Sequence, residues 1–96
     1  MSEPASEERR TLTIVNQRGL HARASAKFVA AVAALPDDAQ VHVAKDGTQA
    51  AGGSILGLMM LGAAKGDTVE LIVSGPDAPR IADELAAMID DGFGEN

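Results

Sequence analysis

The run Thr11-Leu12-Thr13-Ile14-Val15-Asn16-Gln17-Arg18-Gly19-Leu20-His21-Ala22-Arg23-Ala24 changes its period halfway along. Up to Asn16 the residues alternate, with Leu12 and Ile14 on one face and Thr11, Thr13 and Val15 on the other, as in a half-buried strand. From His21 onward apolar side chains return at Ala24, Phe28, Val32 and Leu35, which is the spacing of one helix face, with Arg23 and Lys27 lying off it. Asn16, Gln17, Arg18 and Gly19 are left to make the turn, and Gly19 allows a φ angle that other residues adopt only at a cost. His21 therefore opens a helix, where the first amide N–H groups find no partner within the helix itself.

That position suits an anion. A phosphate there would meet unpaired amides, the positive end of the helix dipole and the guanidinium of Arg23 together. The same dipole disfavours an imidazolium, so a neutral, nucleophilic ring is expected at His21. A phosphoryl group carried on it would be stabilised by roughly 0.3–1 kcal/mol, or ~2 kcal/mol if partly buried, and Arg23 can add a charge-assisted hydrogen bond. The ordinary alternative is a histidine that only caps or packs against the helix start.

The rest of the chain builds around this junction. Residues 1–10 are polar, of mixed charge and without apolar periodicity, and read as a flexible N-terminal tail. Pro36 and two aspartates stop the first helix near Leu35. A strand follows over 40–45 with Val41 and Val43 inward and His42 outward, and Asp46-Gly47 is a hairpin signal leading to a short strand over 48–50. Ser54 is placed as the N-cap of a short helix in which Ile55, Leu58 and Leu61 face the core. Leu56 and Met59 then point away, and an apolar pair exposed on a small acidic domain suggests docking. A last strand covers 68–74 with Val69, Leu71 and Val73 inward. The final helix begins near Pro79 and carries Ile81, Leu85, Met88 and Ile89 on its buried stripe.

The order is βαββαβα, and every strand has one apolar face. An α/β (α+β) open-faced sandwich is predicted, with three helices on one face of a four-stranded antiparallel sheet. One domain spans residues 11–91, and residues 92–96 form an acidic C-terminal tail in which only Phe93 has an apolar surface to dock.

Composition narrows the function. The roughly 80 residues between the polar ends can bury one small core. It must be aliphatic, since the chain has two Phe and no Trp or Tyr; base stacking is then excluded. A net charge of −6 argues against nucleic acid or an acidic membrane surface as partner. With no cysteine there is no disulfide, thiolate nucleophile or Cys-ligated zinc, which fits a reducing compartment. No signal-peptide pattern and no spanning apolar segment is visible, so a cytoplasmic location is expected. His21 and His42 belong to no ligand cluster, so neither metal nor cofactor is expected, and no paired-carboxylate site is visible.

Gly19 through Arg23, continuing into Lys27, Phe28 and Val29, resembles the active-site segment of the bacterial phosphocarrier HPr family. Ser54-Ile55-Leu56-Gly57-Leu58-Met59 with Leu61 resembles that family's second signature, and the element order matches over roughly residues 11 to 90. The resemblance implies a carrier, not an enzyme in its own right, that takes a phosphoryl group from Enzyme I, charged by phosphoenolpyruvate, and passes it to an enzyme IIA. It implies phosphorylation of His21 through Nδ1, with Arg23 as the accompanying guanidinium and the Ala22 and Arg23 amides around the phosphate. It implies regulatory phosphorylation of Ser54 by an HPr serine kinase/phosphorylase, partner docking through Leu20, Leu56 and Met59, and a monomer. Leu58 to Lys65, the turn at 74–76 and the segment through Gly92 and Phe93 look more like the nitrogen-related branch, NPr, than the sugar-transport form. One position departs from the pattern: Ala24 stands where the family usually has proline, which restores an N–H that can serve as a further phosphate donor. Two other readings remain open at this point. One is a regulatory binding module using the Leu56/Met59 face with Ser54 as its switch, and the other is a sugar-transport HPr.

Overall fold

Sheet and helices follow the expected order in the computed structural model, which describes residues 7–95. Strand β1 is Glu7–Thr13, helix α1 Ala22–Ala33, β2 Gln40–Lys45, β3 Thr48–Ala51, α2 Ile55–Met60, β4 Thr68–Ser74 and α3 Ala78–Asp90, and a 3₁₀ turn, Gly92–Gly94, follows α3. The four strands lie in the order β1-β4-β2-β3. All pairs are antiparallel, with β4 joined along its whole length to β1 and through Val43↔Leu71 and Val41↔Val73 to β2. Alternation puts Val41, Val43, Val69, Leu71 and Val73 on one face, where they meet Phe28 of α1, Leu58 of α2 and Ile81, Leu85 and Ile89 of α3. Each large side chain fully removed from water there contributes about 1.5–3 kcal/mol. The opposite face carries polar residues and alanines around Ile72, which is buried in register between Arg9 of β1 and His42 of β2.

Five local expectations need correction. Strand β1 starts at Glu7 rather than Thr11, so residues 7–10 belong to the sheet and not to a tail; residues 1–6 of that expected tail lie outside the described residues. Arg9 bonds Glu7 and Glu70, and Arg10 bonds Glu8 and reaches Asp83 on α3. A charged run paired in this way makes an edge strand without any apolar signal. Ile14 to Asn16 leave the ladder early, because Ile14 exchanges hydrogen bonds with the 66–67 loop instead. Helix α1 ends at Ala33, ahead of Leu35.

In α2, Leu58 and Leu61 are buried as expected, but Ile55 is not. As first residue of a six-residue helix it projects past the end of the core, and together with Leu56, Met59 and Met60 it leaves the helix with an apolar outer side. Finally, residues 92–95 do not trail into solvent. Gly92, Phe93 and Gly94 take φ values of 65°, 59° and 73°, a left-handed curl that is costly only at Phe93. That residue is 3% exposed, and Lys27 Nζ donates to its carbonyl at 2.8 Å, so burial and a charge-assisted bond offset the strain.

Candidate functional site

The loop ahead of α1 is built from backbone contacts. Gly19 has φ +62°, and its N–H donates to the Asn16 carbonyl at 3.2 Å. A Cβ at this position would collide with the Ala63 carbonyl oxygen, the same oxygen that accepts from Leu20 N–H at 2.9 Å. Leu20, expected on the docking face, is instead 7% exposed in the core and anchors the loop from below. The chain thus arrives at His21 with an extended backbone, φ −75° and ψ −179°.

His21 is itself the N-cap of α1. Its carbonyl accepts from Ser25 N–H at 2.9 Å, and its Nδ1 accepts from Arg23 N–H at 3.3 Å, the part usually taken by a serine or aspartate oxygen. An Nδ1 that accepts from an amide carries no proton, which assigns the ring proton to Nε2. Nε2–H in turn donates to the Glu95 carboxylate, 2.8 Å from Oε2 and 3.0 Å from Oε1. Asn16 Nδ2 donates to Glu95 Oε1 at 3.0 Å and to the Gly19 carbonyl at 2.9 Å, tying loop and carboxylate together. The bond from His21, then that from Asn16, holds the Glu95 carboxyl below the usual carboxylate range, with the charge of Lys27 assisting and burial opposing. Both partners are partly shielded, the side chains of His21 and Glu95 being 18% and 16% exposed.

The other expected residues divide into those brought here and those elsewhere. Ala22, Arg23 and Ala24 form the first turn of α1 around the ring, and their amides are the ones that lack a carbonyl partner within the helix. The Arg23 side chain is exposed and makes no hydrogen bond or ion pair among the described residues. Ser54 caps α2, its Oγ accepting from Gly57 N–H at 2.9 Å. Leu56 and Met59 are exposed on α2, Leu56 at 68%. His42 is half-buried on the open sheet face. Among the described residues no group of three His, Cys, Asp or Glu could hold a metal ion, and no helix is long and apolar enough to cross a membrane.

Sequence reasoning missed Glu95, Asn16 and Lys27. Glu95 sits in an acidic stretch where one carboxylate looks like the next, and Asn16 carried only a turn signal. The pair Gly92 and Gly94 around Phe93 was the one readable hint that the chain bends back.

Comparison with known proteins identifies the family. A family model described as "PTS HPr component phosphorylation site" matches residues 8–91. The phosphocarrier protein HPr of Cupriavidus necator is 44% identical over 86 residues, which covers 90% of this chain and 94% of that protein. The phosphocarrier protein NPr of Shewanella violacea is 38% identical over 86 residues, covering 90% and 92% respectively. Among solved structures, HPr-C-His from Thermoanaerobacter tengcongensis superposes with a TM-score of 0.84 at 35% identity, covering 93% of this chain and 98% of that one. With its open antiparallel sheet, its capping histidine and these relatives over nearly its whole length, the chain belongs to the HPr family, the phosphocarriers of the phosphotransferase system.

Proposed function

We propose that His21 is the residue that carries the phosphoryl group, through Nδ1. The observation that carries this reading is the unprotonated Nδ1 held over the first amides of α1. When the Nδ1 lone pair bonds phosphorus, Arg23 N–H loses its acceptor on the ring and can donate to a phosphoryl oxygen, and the Ala22 and Ala24 amides stand beside it. The exposed Arg23 side chain is free to swing toward the dianion, which would add a charge-assisted hydrogen bond. The donor is Enzyme I charged by phosphoenolpyruvate and the acceptor an enzyme IIA, each supplying most of the catalysis while this chain acts as a monomer in the cytoplasm. Mixing the protein with Enzyme I and phosphoenolpyruvate and measuring intact mass tests it. An acid-labile phosphoryl adduct that disappears in His21→Ala is expected; no adduct, or one that survives His21→Ala, overturns it.

The branch assigned is the nitrogen-type relay, on the segments 58–65, 74–76 and 92–93. The 44% identity to one HPr-named relative, against 38% to an NPr-named one, makes the sugar-transport reading the rival. Comparing initial rates with nitrogen-type and sugar-type Enzyme I decides between them. Docking is assigned to Leu56 and Met59, supported by their exposure together with Ile55 and Met60. Phosphate placed on Ser54 by a serine kinase/phosphorylase would set a dianion at the start of that helix, next to the docking residues. A Ser54→Asp variant that accepts phosphate from Enzyme I at the unaltered rate removes the switch and leaves Ser54 as a cap.

A further inference from the structure

We infer that Glu95 is a positioning residue for His21, holding the proton on Nε2 both before and after the phosphoryl group arrives. The inference rests on His21 being the carrier, as proposed above, and concerns what sets the ring's protonation.

Four features place this carboxylate. The curl at Gly92–Gly94 turns the chain back after α3, Phe93 is sunk into the core, and Lys27 from α1 holds the Phe93 carbonyl. Asn16, 2% exposed in the loop before the helix, then donates to Glu95 Oε1. A residue 74 positions away in sequence from His21 is thereby fixed with both oxygens within 3.0 Å of Nε2. Strained backbone at a non-glycine residue, kept by surrounding contacts, is characteristic of segments that serve a site. The groups that face the pair are neutral Asn16 from the loop and Lys27 from α1, whose charge favours the same ionised carboxylate.

The chemistry follows from which nitrogen holds the proton. With Nε2 protonated and bonded to Glu95, Nδ1 presents its lone pair, and it forms the N–P bond while the donor's bond to phosphorus breaks and its electron pair stays with the donor. The ring then carries phosphoryl on Nδ1 and a proton on Nε2, so it is a cation, and the adjacent carboxylate stabilises it. On transfer to the acceptor the N–P electron pair returns to Nδ1 and neutral imidazole is released. No proton has entered or left in either half. Were Nε2 to lose its proton in the phosphorylated state, the leaving group would be an imidazolide anion, which departs far less readily.

The test uses the full chain, with Glu95→Gln and Glu95→Ala. Ring ¹⁵N spectra of the unphosphorylated proteins should show the Nε2–H tautomer dominating in the parent chain and in Glu95→Gln, whose amide oxygen still accepts, and a mixture in Glu95→Ala. In the phosphorylated proteins the pH at which the Nε2 proton is lost should fall by about one pH unit or more in both variants, because both lack the negative charge. The pH above which hydrolysis of the phosphohistidine slows should fall with it. Identical tautomer populations and identical pH profiles in all three proteins overturn the inference while leaving His21 as carrier. A parent chain that takes no phosphoryl group overturns the proposed function instead, and the ¹⁵N spectra of the unphosphorylated chains still report on Glu95. Glu95 lies beyond the last buried residue, Phe93, so both variants keep the core, which amide spectra verify.

Discussion

Two helices in this fold begin on a side chain that accepts from their own amides, and the two caps are built differently. At α2, Ser54 Oγ takes Gly57 N–H at 2.9 Å, and everything needed lies within four residues. At α1, His21 Nδ1 takes Arg23 N–H at 3.3 Å, and the ring is oriented from the far end of the chain by Glu95. The serine cap is short and self-sufficient, as one selected for helix stability should be. The histidine cap is long, and its geometry is imposed from outside, so the Nδ1 lone pair is only weakly engaged. A group that must exchange its hydrogen bond for a covalent bond to phosphorus is served by the second arrangement and hindered by the first.

The sharpest way to break this comparison is to remove each cap in turn. Enzyme I-dependent phosphorylation, read by intact mass, should be lost entirely in His21→Ala and retained in Ser54→Ala. Loss in both would mean that α2 takes part in the chemistry. The next largest effect concerns the glycines that precede the caps. Gly19→Ala places a Cβ against backbone at Ala63 and demands φ +62° of an L residue, which by itself costs roughly 1–2 kcal/mol. At Gly53, a Cβ meets nothing within 4 Å, so Gly53→Ala should stay within about 0.5 kcal/mol of the parent. Urea unfolding midpoints check both, and equal midpoints would show that the α1 entry is no more tightly specified than the α2 entry.

The same contrast explains what could be read in the sequence. The Ser54 cap, the boundaries of β2 and β4, the hairpin at Asp46-Gly47 and the buried stripe of α3 all rest on neighbours within a few positions, where periodicity and turn chemistry operate. His21 was legible as a helix opener for that reason too. Glu95 was not, because its meaning depends on a turn that brings it back onto a residue at the other end of the chain. Strand β1 failed at its start for a related cause: Glu7 to Arg10 are paired across the strand and to Glu70 and Asp83, contacts that no local pattern announces. Ile55 had the right spacing for the core, but a six-residue helix ends before that spacing can be used.

A smaller effect sharpens the account of the serine. Ser54→Ala should lower stability by about 0.5–2 kcal/mol, since Gly57 N–H is left without its acceptor. His21→Ala made in a Glu95→Ala background, where the ring has already lost its short bonds to the carboxylate, should cost less, because the bond it then removes is 3.3 Å long. Thermal or urea unfolding of the two variants under one buffer ranks them. The reverse order would mean that the histidine cap is the stronger structural element and that its length is not a sign of release.

The smallest effect is the dependence on acid. His21 and Asn16 hold the Glu95 carboxyl below its usual range, so the carboxylate is favoured in the folded chain more than in the unfolded one. Stability from this contact is therefore fully present above the ordinary carboxylate range, and it fades as pH falls through the lowered folded value. Carboxyl ¹³C shifts should show Glu95 protonating at lower pH in the folded chain than in the same chain unfolded in urea, where the ring and Asn16 no longer donate to it. His21→Ala should move Glu95 back toward the ordinary range, since the ring is the largest cause of the lowering, while the Asn16 bond and the Lys27 charge continue to act. If Glu95 titrates alike in the folded and the unfolded parent chain, the carboxylate is not seated on Nε2 in solution. The two caps would then differ only in length, not in how they are held.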